Sequence, residues 1–137
     1  MLEVRDLQVA YGGSLIVQGA SLMVHPGQIV AVLGRNGVGK TTLLRGITGL
    51  TPPRAGRVIL NGEDITRLST HAIARRGVRL VPQGRRLFPS LDVREHLVVG
   101  ADRGRAHGWD MPRVLDLFPS LAGRLRRAGA GPERLVG

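Results

Sequence analysis

The segment G-R-N-G-V-G-K-T-T, residues 34–42, constrains this chain more than any other. It fits the pattern G-x-x-x-x-G-K-[ST], with Gly34, Gly39, Lys40 and Thr41 at its fixed positions. Glycines lack a Cβ, so the backbone can turn sharply and direct several N–H groups toward one anion. A helix that follows points the positive end of its dipole at the same anion. The segment predicts a phosphate-binding loop in which Lys40 reaches β- and γ-phosphate oxygens and Thr41 offers its hydroxyl to Mg²⁺.

The flanks of the loop support this interpretation. Residues 28–33 read Q-I-V-A-V-L, a short apolar run that predicts a strand buried on both faces. Residues 40–50 predict a helix, because their apolar residues recur at helical spacing: Leu43, Leu44, Ile47 and Leu50. Strand, glycine loop and helix is the order that a phosphate-binding loop requires. A glycine-rich surface turn with a chance lysine explains the flanks less well.

Charge and length limit the classes of function. The 137 residues suit one small or medium domain, and the formal net charge is +10. A basic chain can bind nucleic acid, an anionic membrane surface or phosphates. The few aromatic residues do not alternate with the arginines as they do in a base-stacking platform, so we predict no nucleic-acid partner.

Several other classes of site find no support in the composition. The chain has no cysteine, which excludes disulfides and thiolate metal sites. Its four histidines lie far apart without metal-ligand spacing, so we expect them to be solvated or structural. No apolar run is long enough to cross a bilayer, and the N-terminus has no apolar segment of a secretory signal.

Alternation and turn residues predict a series of short strands. Pro26-Gly27 predicts a tight turn, and Asn61-Gly62 predicts a hairpin turn. The predicted strands cover residues 2–11, with a bulge, and then 15–17, 20–24, 57–60 and 78–81.

Polar capping residues predict three further helices. Ser69 or Thr70 can cap a helix that runs through residue 76. Asp92 and Glu95 fit a capping box at the start of a helix that ends near residue 99. Asp110 can cap a third helix, which ends near residue 118. After residue 123 the sequence shifts to glycine, arginine, alanine and proline, and predicts a short helix end followed by a frayed tail.

These segments together resemble the nucleotide-binding domain of ABC transporters. Asn36 stands within the loop where that family usually has it, and Tyr11 precedes the loop in L-Q-V-A-Y-G, where the family's adenine-stacking aromatic falls. Pro26-Gly27-Gln28 precedes the loop strand as a similar P-G-E does in the family. Gln83 ends R-L-V-P-Q and matches the glutamine of the family's Q-loop.

The resemblance implies an α/β fold: a P-loop NTPase (RecA-like) core with an N-terminal antiparallel β subdomain, incomplete at the C-terminus. It covers residues 1–129, and residues 130–137 form a divergent tail. It implies ATP and Mg²⁺ as ligands, Lys40 and Gln83 as catalytic residues, and Thr41 and Gln83 at the metal. The implied nucleotide-binding residues are Tyr11, Gly34, Arg35, Asn36, Gly37, Val38, Gly39, Lys40, Thr41 and Thr42.

Some of these roles have structural alternatives. Tyr11 could pack locally at a strand end, and Gln83 could be an ordinary polar loop residue. Arg85 and Arg86 could contact a membrane partner or form a solvated basic loop. The apolar residues after them could present a patch to a transmembrane subunit or pack under the next helix: Phe88, Pro89 and Leu91.

One segment narrows the subfamily. Residues 84–91 read G-R-R-L-F-P-S-L, and with residues 61–66 and 74–78 they resemble importers of branched-chain amino acids, short amides and urea. Gln83 weakly favours the urea and amide members over the branched-chain amino acid members, many of which carry glutamate there.

The resemblance ends near residue 129. The family continues with L-S-G-G-E-Q, a Walker B strand with its glutamate, and a switch histidine, whereas this chain continues A-G-P-E-R-L-V-G. We therefore expect a C-terminally truncated product, such as one from a frameshift near Ala130, with little ATP hydrolysis of its own.

The resemblance implies the ATP-binding subunit of an importer at the cytoplasmic face of the inner (plasma) membrane. Its expected partners are transmembrane permease subunits and a second ATP-binding subunit. A truncated remnant that binds ATP without hydrolysing it is the main alternative. A P-loop GTPase or small-molecule kinase and a basic nucleic-acid module are the others, although guanine recognition by N-K-x-D would need a second lysine besides Lys40.

Overall fold

The chain begins with a long antiparallel hairpin, because its alternating apolar residues share one buried face. In the computed structural model, strand β1 (Leu2–Tyr11) pairs with strand β2 (Ser14–Val24). The structure describes residues 1–84, 87–101 and 110–126. The chain divides into two compact units, Met1–Val81 and Pro82–Gly137.

Two further strands complete the sheet of the first unit. Strand β3 (Ala55–Leu60) pairs with β1, and the short strand β4 (Glu63–Asp64) pairs with β3, all antiparallel. The order across the sheet is β2-β1-β3-β4. Asn61 and Gly62 form the β3–β4 hairpin turn with φ of 50° and 86°, as their sequence predicts. The expected antiparallel N-terminal subdomain is confirmed.

The β1–β2 pairing contains the predicted bulge in β1, where Arg5 and Asp6 lie opposite the single residue Ser21. A second irregularity follows, because the register passes from Leu7 opposite Ala20 to Gln8 opposite Gln18 and leaves Gly19 unpaired. Asp6 adopts a positive φ of 44°, and its N–H donates to the hydroxyl of Ser21 at 2.8 Å. The prediction of two separate strands over 15–17 and 20–24 is wrong, because β2 pairs with β1 on both sides of Gly19.

Helix α1 (Lys40–Ile47) packs its apolar face against β1. A Cβ added to Gly46 would lie 2.6 Å from Cγ2 of Val9, so the helix approaches the strand closely at this position. The helix is three residues shorter than predicted, because Gly49 takes a positive φ of 71° and its N–H donates to Gly46 O. The core of the unit comprises Val4, Leu7, Val9, Val17, Leu43, Ile47, Val58, Ile65 and Ile73.

Helix α2 (Thr70–Arg75) follows the sheet. The hydroxyl of Ser69 caps it by accepting from the N–H of Ala72 at 3.3 Å, which confirms one of the two predicted caps. At its other end, the guanidinium of Arg76 forms an ion pair with Glu63 of β4 at 2.6 Å. This pair lowers the pKa of the Glu63 carboxyl and connects the helix end to the sheet edge.

Thr66 is a polar residue inside this core, and its hydroxyl connects two strands. The hydroxyl accepts from the N–H of Val58 at 2.8 Å and also hydrogen-bonds to the carboxylate of Asp64. The bond from the Thr66 hydroxyl, with a second one from the N–H of Thr66, lowers the pKa of the Asp64 carboxyl. Because the folded state lowers this pKa, the stabilisation is present above the pKa of the unfolded carboxyl and is lost as the pH falls through the folded value.

We expect Thr66→Val to destabilise the chain by about 1–2 kcal/mol. Valine keeps the shape of threonine but leaves the buried N–H of Val58 without the hydroxyl that it bonds. The free energy of unfolding in urea measures the effect. Thr66→Ser keeps the hydroxyl and should lose less; a valine variant as stable as the parent chain would contradict this role.

The second unit contains the two remaining capped helices. Helix α3 (Val93–Gly100) begins with the predicted capping box, in which Glu95 N donates to Asp92 and Asp92 N donates to Glu95 at 2.7 and 2.8 Å. Helix α4 (Met111–Leu117) is capped by Asp110, as predicted. A 3₁₀ helix (Pro119–Arg124) follows, and the predicted tail lies mostly outside the described residues. In the part of the chain that the structure describes, no helix has the length and apolar character to cross a membrane.

Two predicted strands are absent from the structure. Residues 28–33 and 78–81 form no strand, and the side chains of Ile29, Leu33 and Val81 are 97%, 89% and 92% exposed. A strand buried on both faces needs hydrogen-bonded neighbours at its edges and packing above and below. The four observed strands pair only with one another, so residues 28–33 have no hydrogen-bonded neighbouring strand among the described residues.

Candidate phosphate-binding site

The glycine loop lies between the turn at Pro26-Gly27 and helix α1. Gly37 and Gly39 have φ of 85° and 101°, a conformation that residues with a Cβ rarely adopt. A Cβ on Gly39 would also lie 2.9 Å from Cγ2 of Ile16 in β2. The backbone of the loop therefore depends on glycine at this position for both conformation and space.

The side chain of Lys40 stabilises the loop through hydrogen bonds to its backbone. Its ammonium donates to the carbonyl oxygens of Gly34 and Arg35 at 2.6 and 2.7 Å. An ammonium has three hydrogens, so one is left for a further acceptor such as a phosphate oxygen. Among the described residues no carboxylate forms an ion pair with Lys40, so its positive charge is not neutralised by the protein there.

The first turn of α1 adds N–H donors to this charge. Gly39 is the N-cap residue and provides no side-chain cap, and the first helical bond runs from Leu43 N to Gly39 O at 2.8 Å. The N–H groups of Lys40, Thr41 and Thr42 consequently have no partner within the helix. Free N–H groups at the positive end of a helix dipole suit an anion.

The other loop residues leave the site accessible. Arg35, Asn36, Val38 and Thr41 are exposed, and Thr42 is half-buried. The exposed hydroxyl of Thr41 can reach a metal ion held beside a phosphate. The donors, the lysine charge and this hydroxyl fit a magnesium-bound polyphosphate.

A largely apolar cavity of about 300 Å³ adjoins the loop within the same unit. Its walls come from β2, from the segment before the loop and from the start of α1. Its polar side chains are those of Lys40 and Gln18, among apolar neighbours that include Ile16, Val17, Val32, Leu33, Val38 and Leu43. This is the small end of the volumes that ligand pockets occupy.

Tyr11 lies at the end of β1 with its side chain 62% exposed. The guanidinium of Arg45, on helix α1, lies 5.9 Å from the centre of its ring. The sequence predicts that Tyr11 stacks on adenine. It does not identify Arg45, because a polar residue is expected at this position of an amphipathic helix. The two residues are distant in sequence, so their proximity has no local pattern that could reveal it.

A family model described as "ABC transporter" matches residues 17–134. This chain belongs to the ABC transporter family. Two curated relatives are the lipopolysaccharide export system ATP-binding protein LptB of Escherichia coli (strain K12) and the high-affinity branched-chain amino acid transport ATP-binding protein BraF of Pseudomonas aeruginosa. The first is 41% identical over 97 residues and the second 42% identical over 103, which are 71% and 75% of this chain.

A solved structure of the family has the same fold. The chain described as the ATP binding subunit of an ABC transporter superposes with a TM-score of 0.68 at 29% identity, over 91% of this chain and 52% of that one. The α/β fold of a P-loop NTPase is therefore confirmed. This chain spans about 40% of the length of the two curated relatives.

Gln83 lies in the second unit of this ABC family member, at an exposed bend. Its expected contact with Mg²⁺ or water stays a prediction. Arg85 and Arg86, which follow it, lie outside the described residues.

Phe88 follows the same loop and is not buried under the next helix. Its ring is 59% exposed and stacks on His96 of α3 with 6.0 Å between the ring centres. The N–H of Phe88 donates to Nε2 of His96 at 3.0 Å, and Nδ1 of His96 lies 2.7 Å from the carbonyl oxygen of Asp92. One imidazole therefore connects the loop to the first turn of the helix, a structural role for this histidine.

Proposed function

We propose that this chain binds Mg-ATP at the loop of residues 34–42 as the nucleotide-binding part of an ABC transporter subunit. The position of Lys40 supports this proposal most directly. Its ammonium is fixed beside the N-terminus of α1 and has a hydrogen left for a phosphate oxygen. Family membership supports ATP as the nucleotide, since both curated relatives named above are ATP-binding proteins.

The proposed roles follow from the position of each group. The N–H groups of residues 34–42 surround the phosphates, with Gly34, Gly37 and Gly39 allowing the turn and Arg35, Asn36 and Val38 completing it. Lys40 contacts the β- and γ-phosphates. Thr41 holds Mg²⁺ and Thr42 contacts a phosphate. Tyr11 stacks on the adenine, and Gln83 contacts Mg²⁺ or the attacking water.

The proposed activity of the whole protein is ATP hydrolysis coupled to import, with Lys40 and Gln83 in the catalytic site. The alternative is a nucleotide-binding remnant that does not hydrolyse ATP. No L-S-G-G-Q segment and no Walker B motif occur among the 137 residues, so this alternative describes these residues tested by themselves.

The proposed cargo is branched-chain amino acids or related amides, including urea. The segment G-R-R-L-F-P-S-L and the identity to a branched-chain amino acid transport protein support this choice. A lipopolysaccharide export protein is almost equally similar, so the support is for one of several cargoes. The preference for urea or amides over branched-chain amino acids depends on Gln83 alone.

The proposed partners are transmembrane permease subunits and a second ATP-binding subunit, at the cytoplasmic face of the inner membrane. The exposed apolar side chains of Leu87 and Phe88 are candidates for the contact with a permease. The proposed set of partners includes no nucleic acid.

Calorimetric titration of Mg-ATP into the purified chain tests the proposal. We expect saturable binding, with inorganic phosphate release near the background rate. A chain that is folded by circular dichroism but binds no Mg-ATP would refute the binding role. Rapid phosphate release by the chain alone would refute the alternative without turnover.

A further inference from the structure

Arg45 is the only described residue whose cation lies over the ring of Tyr11. The arginine is half-buried, and its Nε donates to Oγ1 of Thr51 at 3.2 Å. The N–H of Thr51 donates in turn to the carbonyl oxygen of Arg45 at 3.1 Å. Thr51, in the segment after α1, thus fixes the position of the guanidinium, while the side chain of Tyr11 is 62% exposed.

The contact limits the positions of an exposed ring. A tyrosine at a strand end can occupy several rotamers, and ordering it on binding costs conformational entropy. A guanidinium within about 6 Å of the ring centre attracts the ring face and favours one of these positions. Arg45 therefore holds the ring in place before any ligand arrives, which reduces the entropy lost on stacking.

The arginine also connects the ring to the phosphate-binding loop. Lys40 begins α1, and Arg45 lies five residues further along, about 7.5 Å of helix rise. One rigid helix consequently bears the phosphate donors on its first turn and fixes the aromatic ring from its second. The distance between the phosphate site and the ring is then set by the helix rather than by a flexible loop.

We propose that Arg45 is a positioning residue that holds Tyr11 for the base of the bound nucleotide. This inference rests on the proposed nucleotide-binding function. The guanidinium lies over one face of the ring, and the purine stacks on the opposite face. Arg45 contacts neither phosphate nor base, so its effect is confined to the part of the affinity that the base supplies.

The test compares two ligands in each variant: Mg-ATP, which has a base, and Mg-tripolyphosphate, which has none. The readout is the ratio of their dissociation constants, measured by calorimetry. Partial unfolding lowers both affinities by the same factor and cancels in this ratio. A change in net charge near the site also acts on both ligands.

For Arg45→Ala we expect the affinity for Mg-ATP to fall about two- to five-fold relative to the affinity for Mg-tripolyphosphate. Arg45→Lys keeps a cation that can reach the ring, and should recover most of the loss. Thr51→Val removes the hydroxyl that holds Nε and should shift the ratio in the same direction, by less. Tyr11→Ala should shift it by about five-fold or more, since it removes the stacking itself.

The double variant decides whether Arg45 acts through Tyr11. If it does, Arg45→Ala has no further effect on the ratio once Tyr11 is alanine. An unchanged ratio in Arg45→Ala, or an equal fall in the presence and absence of the tyrosine, overturns the proposal. A parent chain that binds neither ligand overturns the proposed function and this inference with it, whereas binding with an unchanged ratio overturns this inference alone.

Discussion

Replacing Lys40 with alanine is expected to weaken Mg-ATP binding by about 10- to 100-fold. The change removes a charged donor to the phosphates from a site where no described carboxylate balances it. It also removes the two hydrogen bonds from the ammonium to the carbonyl oxygens of Gly34 and Arg35, which stabilise the conformation of the loop. Calorimetry on the full chain measures the effect.

A charge-matched control separates this specific loss from general attraction of an anion to a basic chain. Arg54→Ala also removes one positive charge from the first unit, but from an exposed position outside the loop. We expect it to change the affinity little at physiological salt, because salt screens the charge of an exposed side chain. Equal losses in the two variants would mean that ATP associates with the overall charge and not with this loop.

The parts of the fold that the sequence predicts well are those decided within a few residues. The capping box needs only Asp92, Glu95 and the backbone between them. The β3–β4 hairpin follows from Asn61 and Gly62, which can adopt positive φ. Such elements form from local hydrogen bonds and conformational preferences, so a short window contains the required information.

Residues 28–33 illustrate the opposite case. Their apolar pattern is typical of a strand buried on both faces, yet Ile29 and Leu33 are almost fully exposed. The apolar pattern indicates that the segment is suited to a buried position. The neighbouring strands and helices that would bury it must come from other parts of the chain. Pairing partners are a property of the whole fold, and no window around the segment specifies them.

The candidate site also has one part that the sequence predicts and another that it does not. The phosphate-binding loop is contiguous, so its residues and their geometry follow from the motif. The contact between Arg45 and Tyr11 depends on how α1 packs on β1, with Gly46 against Val9. Gln83 belongs to the second unit, and its role depends on an arrangement that the sequence alone does not specify.

Gly56→Ala is expected to destabilise the chain by about 2–5 kcal/mol, the largest effect that we predict for a single methyl group. Gly56 has φ of 85°, and a Cβ there would lie 2.4 Å from the carbonyl oxygen of Asp6 and 2.6 Å from that of Arg5. Both obstacles are backbone atoms of β1 at its irregular pairing with β3, so no side chain can move aside. Urea denaturation of the full chain measures the loss.

Gly62→Ala is the matched control, because Gly62 has nearly the same φ, 86°, with nothing within 4 Å of an added Cβ. It has the conformational strain of a positive φ without the collision, so we expect a loss of about 1 kcal/mol. The difference between the two variants then measures the close approach of β1 and β3. Equal losses would show that β1 and β3 separate easily at this irregular pairing, and that the positive φ alone explains the requirement for glycine at position 56.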